Sequence, residues 1–126
     1  MKNDRRTTKS IGDLGERRAA RYLRLRGFRI RERNYRAGKY EIDLIAASWR
    51  TILFVEVKTR SYRAVDLESA APPSLAVDAD KMRFTRAAAM RYLRENPTKK
   101  RPRMDVIEVW LVEGKVKKIH WIPAAY

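Results

Sequence analysis

Apolar residues return at helical spacing near the start of the chain. Ile11, Gly15, Ala19, Tyr22 and Leu23 share one side of a helix that Ser10 can cap and Gly27 can stop after about Arg26. From Phe28 to about Tyr35 the period changes to two, apolar against charged, which predicts a half-buried strand. The Ala37-Gly38 turn leads into a second strand, Tyr40 to Ile45. Past Ala47-Ser48-Trp49-Arg50, residues Ile52 to Lys58 form a third, apolar on both parities before its charges begin, as in a central strand covered on both faces. Residues 59–76 have no clean period and carry Pro72-Pro73, so they read as a loop. Asp78 or Asp80 can cap a second helix that reaches about Arg94 and stops before Pro97. The basic stretch Lys99 to Arg103 links it to a strand from Met104 to Val112, and the Glu113-Gly114 turn leads to a last strand through Ile122. The order predicts one α/β domain over residues 1–126: a mixed sheet whose first three strands form an antiparallel meander, flanked by helices. Residues 1–9 read as a flexible basic tail.

Within this frame the carboxylates are unusually placed. Asp43, Glu56 and Lys58 lie on strands with apolar neighbours, and an unpaired buried charge needs a counter-ion, a metal or a change of protonation. Glu56 and Lys58 are two apart and project from one face. If Ser48-Trp49-Arg50-Thr51 is a four-residue hairpin loop, paired positions sum to 99, so Asp43 opposes Glu56 and Glu41 opposes Lys58. Directly opposed Cβ atoms lie about 4.5–5.5 Å apart, and two carboxylates that close repel unless something positive separates them. Mg²⁺ or Mn²⁺, which take oxygen ligands, suit that gap. Lys58 would then balance charge on a phosphate, with Arg60 at the same strand end as a phosphate contact. The alternative is purely structural: Glu41–Lys58 and Asp43–Arg60 as cross-strand ion pairs at a solvated strand end.

Composition narrows the chemistry further. The 126 residues carry 30 Lys+Arg against 15 Asp+Glu, a formal +15. That self-repulsion makes best sense with a polyanionic partner, nucleic acid first and an anionic membrane surface second. Arg17, Arg18, Arg21 and Arg24 can form one phosphate-tracking helix face or a merely solvated one. Trp49 at the hairpin tip can stack on an unpaired base or fold back over apolar neighbours. With no cysteine, disulfide scaffolds, thiolate zinc sites and cysteine nucleophiles are excluded. A single histidine, His120, argues against multi-histidine metal sites. No apolar run is long enough to span a bilayer and no signal-like segment opens the chain, so a cytoplasmic protein is expected.

Five blocks occur in order: Gly12-Asp13-Leu14-Gly15-Glu16, Asn34-Tyr35-Arg36, Glu41-Ile42-Asp43-Leu44-Ile45, Phe54-Val55-Glu56-Val57-Lys58-Thr59-Arg60 and Arg103-Met104-Asp105-Val106. The chain thereby resembles the YraN-like family of bacterial proteins, assigned to the restriction-endonuclease-like PD-(D/E)XK superfamily and similar to archaeal Holliday-junction resolvases. The resemblance implies a restriction-endonuclease-like fold and a metal-dependent DNA endonuclease, with branched or single-stranded DNA as substrate. It implies Asp43 and Glu56 as metal-binding carboxylates, the Val57 carbonyl as a further ligand, Lys58 as the catalytic lysine, and Glu16 approaching from the first helix. A homodimer is a further expectation, because resolvase-like proteins often dimerise. Tyr40 stands where the family usually has glycine, and Met104 where it has phenylalanine. A nucleic-acid-binding protein without catalysis, and a module for an acidic protein or membrane, are the competing readings of the same charge.

Overall fold

The structure, a computed structural model, describes residues 8–62 and 79–126. In these residues two helices, α1 (Thr8–Arg24) and α2 (Ala79–Glu95), flank a sheet of five strands. The strands are β1 (Arg29–Ala37), β2 (Tyr40–Ala47), β3 (Thr51–Tyr62), β4 (Arg101–Val112) and β5 (Lys115–Ile122), and they lie in the sheet in chain order. All neighbours are antiparallel except β3 and β4, which run parallel. The result is the expected α/β architecture, a mixed sheet opened by a three-strand meander, consistent with a restriction-endonuclease-like fold.

The helix ends follow local chemistry. After α1 the Phe28 N–H reaches back to the Leu23 carbonyl and the Gly27 N–H to the Arg24 carbonyl, both at 3.1 Å. Gly27 sits at φ +92°, so the turn is a Schellman cap, with Phe28 packed against the core cluster that holds Leu23. β3 is central and apolar on both parities. Leu53 and Val55 join Ala19, Ala20, Leu23, Leu44 and Ile107 beneath α1, whereas Ile52 and Phe54 join Ile45, Ala88 and Tyr92 beneath α2. Each helix therefore covers one face of the sheet.

Several expected boundaries move. Thr8 and Lys9 belong to α1 rather than to a tail, and residues 1–7 lie outside the described part, as does Asp78. Thr59 to Tyr62 continue β3 instead of opening a loop, because their backbone pairs with Val109 to Val112 on β4. Residues 63–76 of that predicted loop lie outside the described part. The basic stretch before Met104 also changes role, since Arg101 to Arg103 already pair with Thr51 to Leu53. Backbone pairing overrides side-chain pattern at Thr59 to Tyr62 and at Arg101 to Arg103.

At the C-terminal end, Asp105 is fully buried and fully satisfied. It accepts bonds from Arg103 Nε (2.8 Å), an Arg103 terminal nitrogen (2.9 Å), Trp121 Nε1 (2.8 Å) and the Ala124 N–H (3.0 Å). The carboxylate thereby ties β4, β5 and the chain end together. Trp121 packs edge-on against Tyr22 and Phe28, which joins this hub to α1.

Candidate functional site

The β2–β3 ladder has the expected register. Ala47 opposes Ile52, and the pairing advances to Leu44 opposite Val55, each pair summing to 99. It extends no further towards the carboxylates. Beyond Val55 the two strands part, and the Asp43 side chain takes the place of a backbone partner: its Oδ2 accepts the Val57 N–H at 2.8 Å. The expected direct opposition of Asp43 with Glu56, and of Glu41 with Lys58, is therefore corrected to an opened strand end bridged by Asp43.

The cause lies on the neighbouring strand. Leu44 packs on the α1 side, yet Ile42 packs on the α2 side with Ile45 and Ala47, so strict alternation fails between Ile42 and Leu44. Across from that step sits Asn34, between the paired Arg33 and Tyr35, at φ +51°. Asparagine is among the few side chains that tolerate this left-handed backbone. With its amide nitrogen facing the acids, Asn34 donates to Glu41 Oε1 (3.2 Å) and to Glu16 Oε1 (3.1 Å).

Glu16 arrives because α1 comes unusually close to β3. Gly15 is buried, and a Cβ there would overlap Thr59 Oγ1 and stand 3.0 Å from the Thr59 Cβ and Cγ2. Only glycine permits that approach. Glu56 reaches the other face, where α2 lies. Lys81 Nζ is 3.6 Å from Glu56 Oε1, and the Glu56 side chain is 14% exposed. Its second oxygen, Oε2, is buried with no hydrogen-bond partner among the described residues. A cavity of about 40 Å³ lies between Glu41, Asp43, Glu56, Lys81 and Thr85.

Crowding of acids shows in their protonation. Burial, then the charges of Asp43 and Asp13, push the Glu16 carboxyl up to about 7, against the pull of Asn34. Burial likewise raises Asp43 to about 6. The Val57 N–H and Lys81 pull it down, while Glu56 and Glu41 push it up. In so basic a chain, acids that repel one another are the exception.

These residues fit a hard divalent cation in donor type: all are oxygen ligands, one oxygen is buried without a hydrogen-bond partner among the described residues, and two carboxyls are held towards their neutral forms by burial and by neighbouring acids. Among the described residues, however, no three His, Asp or Glu side chains gather closely enough to form a metal cluster. Asp43 is engaged by Val57 and Glu56 by Lys81.

Other expected site residues fall as follows. Lys58 is half-buried on β3, in register with Glu108 on β4. Glu41 pairs with Arg36 at 3.8 Å and with Asn34. Arg60 is half-buried, and its Nε is without a hydrogen-bond partner among the described residues. Arg17 and Arg21 are exposed on α1, one turn apart. Sequence reasoning assigned no role to Asn34, Lys81 or Glu108. Glu108 is fully buried, its oxygens lack hydrogen-bond partners among the described residues, and its Oε1 is 3.5 Å from His120 Nδ1. Its signal was a lone carboxylate inside the apolar run Val106-Ile107-Glu108-Val109. No helix among the described residues is long and apolar enough to cross a membrane.

The model of the family described as "Uncharacterised protein family UPF0102" matches residues 15–109, from Gly15 on α1 to Val109 on β4. A UPF0102 protein of Alkaliphilus oremlandii is 44% identical over 115 residues, covering 89% of this chain and 94% of the relative. One from Alkaliphilus metalliredigens is 40% identical over 120 residues, covering 94% and 99%. One from Solibacter usitatus is 41% identical over 125 residues, covering 97% and 89%. The chain belongs to the UPF0102, YraN-like family.

Proposed function

We propose that the protein binds nucleic acid and hydrolyses phosphodiester bonds in DNA with a divalent metal, Mg²⁺ or Mn²⁺. The observation that carries this reading is the opened β2–β3 end, where Asp43 and Glu56 face a small cavity with Lys58 two residues on. Asp43 and Glu56, with the Val57 carbonyl, would hold the metal, and Glu16 would approach from α1. The metal, when bound, supplies positive charge that polarises a phosphoryl oxygen. The chain's own groups do the rest. Lys58 presents an ammonium where negative charge gathers on the phosphate. Asn34 holds Glu16 and Glu41 in place through two hydrogen bonds. Glu16, whose proton leaves near neutrality, can take or give a proton at the carboxylate oxygen. Arg17, Arg21 and Arg60 meet phosphates on either side.

Incubation with single-stranded, branched and duplex DNA in Mg²⁺ or Mn²⁺ tests the reading. Cleavage is expected from the wild type, lost in Glu56→Gln and Lys58→Ala and in excess chelator. Equal cleavage by those variants, or none by the wild type on any substrate, would sink it.

A second reading, binding without catalysis, is favoured by one observation: Asp43 and Glu56 already have partners in Val57 and Lys81. It expects nucleic-acid affinity that is steeply salt-dependent yet indifferent to chelator and to Asp43→Asn.

A further inference from the structure

Trp49 stands in the turn between β2 and β3 with 78% of its surface exposed. The other two tryptophans are half-buried, Trp121 among core residues and Trp110 against Tyr62. Trp49 does not fold back over apolar neighbours. Its surroundings are cationic. The Arg50 guanidinium lies 4.3 Å from the ring centroid, and a cleft of about 440 Å³ beside the ring is lined by Arg29, Ile30, Arg31, Ala47, Ser48 and Lys100.

The fold builds this cleft on purpose-shaped backbone. Arg29 pairs with Ala47, which brings it next to the turn. The β1–β2 ladder then slips between Ile30 and Glu32, leaving Arg31 as an extra residue on an edge strand, where a bulge re-aims the side chain. Lys100 Nζ donates to the Ser48 carbonyl at 2.7 Å, and the Arg101 N–H to the Arg50 carbonyl at 2.8 Å. The turn is thereby fastened to the start of β4, so the ring is presented by a braced element. No carboxylate lines the cleft.

A flat aromatic wall with arginines beside it matches an unstacked nucleobase flanked by phosphates. Bases inside a duplex are already stacked and offer no free face. With Arg29, Arg31, Arg50 and Lys100 at the ring and no carboxylate in the lining, the cleft suits a partner that carries negative charge beside its flat face. We propose that the cleft beside Trp49 binds a single-stranded stretch of nucleic acid, with one unpaired base stacked on the Trp49 ring and its neighbouring phosphates on Arg29 and Arg31. The edge strand carries Arg33 and Arg36 onward from the cleft towards the end where Glu41 and Asp43 lie, so one strand can touch both places. The inference rests on nucleic-acid binding under the proposed function, but not on cleavage.

The test is fluorescence anisotropy in chelator, with the full chain and a labelled oligo(dT) of about 12 nucleotides, against a blunt duplex of equal length. Trp49→Ala is expected to weaken single-strand binding by about fivefold or more, and Trp49→Phe to retain it within about twofold. Duplex affinity should stay unchanged in both, and the salt slope for single strands should fall only in Arg29→Ala and Arg31→Ala. Unchanged single-strand affinity in Trp49→Ala, or an equal loss on duplex, overturns the stacking site while leaving the nucleic-acid reading intact. A change of oligomeric state in Trp49→Ala with oligonucleotide binding unaltered assigns the ring to a protein contact and also overturns it. If the wild type binds neither oligonucleotide, the nucleic-acid reading fails and the cleft with it.

Discussion

Asn34 and Asp43 together open the site, and each carries a prediction. A β-branched residue cannot hold the left-handed φ of Asn34 without strain, so Asn34→Val should lower stability by about 1–2 kcal/mol in urea denaturation, and Asn34→Gly by less. Asp43 titrates at about 6 in the fold, against an ordinary value of 3.8. Between those values the folded chain keeps a proton that the unfolded chain has released. Stability from this group is therefore present at low pH and lost as pH rises towards about 6. Asp43→Asn retains an acceptor for the Val57 N–H without the charge. Its melting temperature should match the wild type near pH 4 and exceed it by a growing margin up to about pH 7, where the difference levels off. A constant difference across that range would mean that burial and the neighbouring acids do not raise Asp43 in the fold. Asp105 is the contrasting carboxylate, buried but with every partner in place. Asp105→Ala strands Arg103, Trp121 Nε1 and the Ala124 N–H at once, and should cost about 3–5 kcal/mol in the same denaturation experiment.

Among the elements, the approach of α1 to β3 decides where Glu16 stands. Gly15→Ala must push helix and strand apart at Thr59, a cost of about 1–3 kcal/mol by overpacking. Thr59→Ala should recover part of that loss in thermal denaturation by removing the Oγ1 and Cγ2 atoms. If the double variant is no better than Gly15→Ala alone, the close approach is not what demands glycine. At this scale the pattern of the sequence was informative where side chains alternate or cap. Among the described residues it located both helices, the five strands and the register summing to 99. It was silent where backbone geometry acts alone. Nothing in Thr59 to Tyr62 distinguishes a strand from a loop, because those residues are held by parallel pairing with β4 rather than by their own burial pattern. The parting of β2 from β3 after Val55 was equally hidden, since it depends on one positive φ at Asn34 and one side chain replacing a ladder bond.

For the whole molecule, the formal +15 acquires a division of labour. Arginines on the edge strand β1 and the outer side of α1 stay exposed, whereas Glu16, Asp43 and Glu56 sit inward between the two helices. Such a surface repels itself, and a polyanion relieves it. Heparin or DNA should therefore raise the melting temperature at low salt, and the gain should shrink as salt screens it. The acids need the opposite remedy, a cation. Electron paramagnetic resonance titration of the full chain with Mn²⁺ at about pH 7.5, where Asp43 is ionised, tests that need most directly. The expected result is saturable Mn²⁺ binding by the wild type, weakened about tenfold or more in Asp43→Asn and in Glu56→Gln. A wild type that binds no Mn²⁺, or variants that bind it equally well, would contradict the assignment of these carboxylates as a metal-holding pair.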